Sequence, residues 1–136
     1  MSEISLKSLL VPSKTVDVEY PGMPGFVVTL SFLTREALLN IRKKSTKTSF
    51  KNRQPQDEFD ENLFLDLYTK AAVKGWKGLK LAYLEQLAPV DLSGHDLEDN
   101  LVYSEENALY LMKESANFDA FVSEKVSDLG NFSTSK

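Results

Sequence analysis

The stretch TVDVEYPGMPGFVVTLSF, residues 15–32, decides the fold. Residues 15–20 alternate in the period-two manner of a half-exposed strand, with Val16 and Val18 on one face. Residues 26–32 read as the partner strand. Between them Pro21-Gly22-Met23-Pro24-Gly25 supplies fixed φ at the prolines and permitted positive φ at the glycines, so the pair closes into a β-hairpin over residues 15–33. An isolated hairpin is marginal in water. This one must pack on helices or pair its edge with another chain.

Downstream of the hairpin the periodicity turns helical. Thr34 is a plausible N-cap for a helix through about Lys44, with Leu33 and Leu38 placed as a hydrophobic staple and Arg42, Lys43 and Lys44 complementing the dipole in the last turn. Residues 45–56 lack apolar periodicity, contain Pro55 and read as a mobile basic loop. A second helix is expected from near Asp57, with Phe59, Leu63, Leu67 and Ala71 at i, i+4 spacing, supplemented by Phe64 and Tyr68 and ending near Gly75. Residues 79–87 read equally as a short helix or an extended piece, and residues 89–100 as an acidic loop.

The last third carries the clearest helix signals. Ser104 caps a helix with Glu105 and Glu106 in its first turn and Ala108, Leu111 and Met112 inward. After a break at residues 115–117, Phe118, Phe121, Val122, Val126 and Leu129 make one apolar face, Gly130 stops the helix, and residues 131–136 fray. The fold class expected is mainly α: one small helical domain over residues 1–136, with an N-terminal β-hairpin and residues 34–130 mainly helical.

With 42% hydrophobic and 26% charged residues, the composition is that of a globular domain with a packed core. The absence of cysteine excludes a disulfide framework and a thiol nucleophile. Residues 1–10 do not read as a signal peptide, and no stretch approaches the roughly 18 apolar residues of a membrane span, so cytoplasm is the expected location and no membrane partner is expected. A net charge of −4 disfavours general attraction to nucleic acid.

The search for chemistry yields no enzyme, cofactor or metal site. His95 lies beside Asp91, Asp96, Glu98 and Asp99, but the spacing matches neither a zinc helix nor a calcium loop, and a solvated loop accounts for it. Ser93 lacks a nucleophile elbow, and the glycines do not open a phosphate-binding loop. The basic run from Arg42 to Arg53, with Phe50 inside it, suits a helix terminus and solvated loop, an acidic protein partner, or acidic stretches of a second copy. Trp76 between Gly75 and Gly78 suits a core position or a binding hot spot.

Several of these segments, taken in order, resemble the tail assembly chaperones of long-tailed bacteriophages. The resemblance rests on the strand-like N-terminal region, the Leu-rich helix ending in Arg42-Lys43-Lys44, the sequence from Ala71 through Gly75-Trp76-Lys77-Gly78, and the ending Ser104-Glu105-Glu106-Asn107-Ala108 followed by the Phe-rich helix at Phe118. It implies a small helical protein of the host cytoplasm that binds the tape measure protein, keeps it soluble, brings tail tube protein to it, and is absent from the finished virion. In that family a longer form often arises by ribosomal frameshifting.

On this reading the contact surface is Phe118, Phe121 and Val122, with Trp76 nearby and Arg42, Lys43 and Lys44 contributing charge, and self-association is expected. The Pro-Gly-Met-Pro-Gly hairpin departs from an all-helical member. The alternative classes are a structural tail component forming a ring through its hairpin edge, and a small nucleic-acid-binding regulator using the basic run.

Overall fold

The computed structural model describes residues 4–10 and 14–127. In chain order the elements are α1 (Leu6–Leu9), β1 (Thr15–Glu19), β2 (Val27–Ser31), α2 (Arg35–Lys44), β3 (Thr46–Lys51), β4 (Gln54–Phe59), α3 (Glu61–Ala72), β5 (Val73–Lys77), α4 (Leu81–Leu87), α5 (Glu105–Glu114) and α6 (Ala116–Ser127).

The first hairpin forms in the expected place. β1 and β2 pair antiparallel with Val16 opposite Leu30 and Val18 opposite Val28. The turn is closed by three backbone bonds, from Tyr20 N to Phe26 O, Met23 N to Tyr20 O and Phe26 N to Met23 O, while Gly22 and Gly25 take φ of 80° and 87°. A third strand is added where none was expected. β5 pairs antiparallel with the far side of β2, Val28 opposite Trp76 and Leu30 opposite Val73, with a bulge between Thr29 and Leu30. Gly78, at φ 74°, carries the chain away from β5, and a Cβ there would collide with the Gly25 carbonyl oxygen. Only glycine fits this crossing of the first turn and the end of β5.

The mainly α expectation is overturned. Among the described residues five strands form two sheets, a three-stranded sheet in the order β1-β2-β5 and a separate β3-β4 hairpin, so the domain is α+β. Residues 46–59, expected as a basic loop running into a helix, are that second hairpin. Asn52 and Arg53 at its tip both have positive φ, 54° and 67°, the backbone of a two-residue type I′ turn. Across the strands the Thr48 hydroxyl donates to Asp57 Oδ1 at 2.9 Å and the Ser49 hydroxyl to Glu58 Oε1 at 3.3 Å. These polar pairs replace the buried apolar face that normally announces a strand.

Helix starts follow the capping chemistry. Thr34 accepts from Ala37 N, and Ser104 accepts from Asn107 N, both at 3.0 Å. The second long helix starts later than expected, at Glu61, because residues 57–59 belong to β4 and Asp60 is the cap, accepting from Leu63 N. It also ends sooner, at Ala72, since Val73 leaves the helix to enter the sheet. Residues 81–87 are helical. The expected break at residue 115 is itself a cap: buried Ser115 accepts from Phe118 N at 3.1 Å. The Gly130 stop, Leu129 and the frayed tail lie outside the described residues.

The core lies between the three-stranded sheet and helices α3, α5 and α6. Phe26, Val28, Leu30, Val73, Leu79, Phe118 and Val122 are fully buried, and Tyr20 stacks on Phe26 and meets Phe121 at a 4.6 Å centroid separation. Burial of each large apolar side chain contributes roughly 1.5–3 kcal/mol, which is what holds the first hairpin in place.

Candidate partner-binding surface

The residues expected to meet a partner divide sharply in the fold. Phe118 and Val122 are 0% exposed and Phe121 is 8% exposed, so the structure places these α6 side chains in the core, with Phe121 also lining a shallow hollow beside Tyr20 and Pro21. Trp76 is half-buried in β5. Its indole N–H donates to Leu101 O at 2.9 Å, and its ring meets Tyr103 and Phe118 edge-on. Its place is structural, clamping the chain before α5 onto the sheet. Arg42, Lys43 and Lys44 are exposed in the last turn of α2, where the Arg42 guanidinium lies 5.8 Å from the ring centroids of both Phe59 and Phe64. These three basic residues are not brought together with Trp76 or the α6 phenylalanines.

A different surface is built by the chain between α4 and α5. Although irregular, residues 88–104 are fastened to the body by backbone bonds from Leu81 N to Asp99 O, Ala82 N to Leu97 O and Leu101 N to Leu79 O. Tyr103 adds a hydroxyl bond to Val73 O at 3.1 Å, and the Asn107 amide reaches back to Val102 O at 3.0 Å. Fastened in this way, the segment walls an open groove of about 440 Å³. Leu84, Ala88, Pro89, Val90 and Leu101 form one side, and Asn107, Tyr110, Leu111 and Glu114 form the other. The α5 residues fall at i, i+3, i+4 and i+7, one stripe of the helix. Tyr110 is 59% exposed and Val90 40%, so the groove offers apolar surface to solvent.

A second hollow shares Val90 and Leu101 with the first and continues it past Asp91, His95 and Asp99. Carboxylates therefore punctuate an apolar trough, and no Lys or Arg lines either hollow. The Asp91 carboxyl is held below its usual range by bonds from the Ser93 hydroxyl at 2.6 Å and backbone N–H at 3.0 Å, with His95 a minor influence, so it stays charged. Lys80 pairs with Glu98 at 3.0 Å, and that bond raises the lysine pKa. Among the described residues no group of three His, Asp or Glu is placed to hold a metal ion. No helix among them is long and apolar enough to cross a membrane.

A family model described as YdaY prophage protein matches residues 28–136. The chain belongs to the YdaY prophage protein family. It is thus phage-derived, and the matched span takes in everything from β2 onward, including both walls of the groove. Searches of the curated proteins and of the solved structures found no match to this YdaY-family chain.

The groove residues Val90, Leu101 and Tyr110 are not separable from core residues in the sequence. One signal was present: Tyr110 falls off the Ala108, Leu111, Met112 stripe, and all three of those are buried as expected.

Proposed function

We propose that this YdaY-family protein is a tail assembly chaperone of the host cytoplasm that binds an apolar helical segment of the tape measure protein, keeps it soluble, and brings tail tube protein to it. The observation that carries the reading is the exposed apolar trough between α4 and α5, a concave apolar surface of the kind that accepts the apolar face of an amphipathic helix. Phage origin and the ordered resemblance to tail chaperones favour this partner over a small ligand. The reaction-free chemistry of the trough fits a stoichiometric role.

Among the described residues β1 forms an edge of the three-stranded sheet, the feature that a ring-forming tail component would use. That edge is five residues long and presents Asp17 and Glu19 on its exposed face, which is how edges are kept from pairing. The basic run fares similarly as a nucleic-acid site: Lys47 stands opposite Glu58 in the register, and Thr48 opposite Asp57. Chaperone activity is therefore preferred to both.

Co-expression with the tape measure protein of the same prophage is the test. The wild-type chain raises the soluble fraction of that protein, and Tyr110→Lys, which puts a charge in the trough without touching the core, abolishes the gain. An unchanged insoluble fraction with the wild type sinks the reading. Presence of the chain in purified particles would favour the structural alternative.

A further inference from the structure

The second hairpin touches the body at its base, where Phe59 meets Phe64 at a 5.4 Å centroid separation and the Thr46 hydroxyl donates to Arg42 O, and its tip has no such contact among those the structure shows. β4 is exposed along its length, residues 46–50 of β3 are exposed or half-buried, Phe50 near the tip is 74% exposed, and the Ser45 carbonyl at the base of the hairpin accepts from Asp60 N at 2.8 Å. Phe50 and Pro55 face each other across the strands, so an aromatic and a proline form an apolar tip. The chain from Phe50 through Gln56 carries Lys51 and Arg53 and no acid. Asp57 and Glu58 follow lower in β4, so the positive charge is confined to the tip, where an exposed aromatic costs solubility and gains nothing for the fold.

The trough between α4 and α5 is the complement of this finger in the same molecule. It is apolar where the tip is apolar, at Leu84, Val90, Leu101 and Tyr110, and it carries Glu114, Asp91 and Asp99 where the finger carries cations. No residue of the hairpin lines the trough of its own chain.

We infer that the β3–β4 tip of one copy docks in the α4–α5 trough of a second copy, Phe50 entering beside Tyr110 and Arg53 meeting the carboxylates. Because donor and acceptor surfaces differ, the contact is head-to-tail, and each added copy leaves one free tip and one free trough. The assembly therefore grows as a chain or closes as a ring rather than stopping at a two-fold dimer. A finger-sized contact falls at the small end of protein interfaces, below about 1,200 Å² in total, so association is weak and concentration-dependent. The inference rests on the trough being a docking face, as the proposed function does, but not on the tape measure protein being what it accepts. In the chaperone the tip of a neighbour shields the trough until the partner's helix displaces it.

Two exposed-site variants test this in the absence of any tape measure protein. Phe50→Asp removes the tip and leaves the trough; Tyr110→Asp spoils the trough and leaves the tip. In sedimentation at low ionic strength (about 10 mM salt, where charges act over about 30 Å), the wild type exceeds the 15.3 kDa monomer mass as concentration rises. Raising the salt to about 1 M, where the screening length shrinks to about 3 Å, weakens that association at least severalfold. Each variant alone stays at monomer mass, and their equimolar mixture forms a closed pair of twice that mass, one tip in one trough.

The inference is overturned by a wild type that stays monomeric throughout, by a mixture that stays monomeric while the wild type assembles, or by either variant assembling alone. Assembly of Tyr110→Asp alone would mean tip-to-tip contact. Assembly lost on deleting residues 1–10 but kept in Phe50→Asp would assign the trough to the exposed Ile4, Leu6, Leu9 and Leu10 instead.

Discussion

The protein contains two β-hairpins of nearly equal strand length that the same chain uses in opposite ways. The first, β1–β2, is stapled into the core: Phe26, Val28 and Leu30 are fully buried, a third strand covers its far edge, and its turn abuts Gly78. The second, β3–β4, has no fully buried side chain among those described and is held by its ladder, its turn, polar cross-strand pairs and the contact of Phe59 with Phe64 at its base. Hairpin geometry is thus common to both, and what separates them is packing. One is a piece of the core, the other lies outside it.

Substitutions can break this contrast if it is wrong. The largest effect is expected for Phe26→Ala, which empties a fully buried aromatic site and should cost about 3–5 kcal/mol in denaturant unfolding. Phe50→Ser is the matched change in the second hairpin and should shift global stability by less than about 0.5 kcal/mol, because the ring is already in water. Comparable losses at the two phenylalanines would end the distinction. Next comes Gly78→Ala, where positive φ and the collision with Gly25 O combine to cost about 2–4 kcal/mol, read as a lowered urea midpoint. Gly22→Ala, at a turn glycine with open space around it, isolates the conformational part and should cost less, about 1–2 kcal/mol.

Smaller still is Arg53→Gly. Gly relieves a positive φ at the second turn residue and creates the Asn-Gly pair favoured in type I′ turns, so amide protection in β3 and β4 should rise by about 1 kcal/mol while global unfolding hardly moves. An equal rise everywhere would show that the second hairpin unfolds with the core. The mildest probe is pH. Burial raises the pKa of Tyr20, Tyr68 and Tyr103 above 10.0, the Ser123 hydroxyl opposing and Asp119 reinforcing the shift at Tyr68. The unfolded chain ionises first, so the stability these phenols contribute is complete below pH 10.0 and is lost as pH rises through their folded values. Phenolate absorbance of these three should follow unfolding rather than precede it.

The same contrast explains what could be read from the sequence. Residues 15–32 are legible because burial writes Val16, Val18, Val28 and Leu30 into a period of two around a Pro-Gly turn. Thr34, Ser104 and the Phe118 stripe are legible because caps and helical spacing are local. β3 and β4 are not, since a strand without a buried face has no apolar alternation, and Lys47, Thr48 and Ser49 read like a loop. β5 was hidden for another reason: Ala71 and Ala72 prolong the helical stripe up to the residue where Val73 joins the sheet. Burial alone, not spacing, tells that Phe118, Phe121 and Val122 are core, and the trough becomes visible only when the core has claimed its residues and left Val90, Leu101 and Tyr110 over.

Trp76 is the single tryptophan of the chain, and its indole N–H is bonded to the carbonyl of Leu101, whose side chain lines both hollows of the trough. Native emission therefore comes from one fluorophore bonded to a residue that lines the trough. Occupancy that shifts Leu101 alters the polarity felt by the excited indole, so a spectral displacement on titration would report filling of the trough without any attached dye.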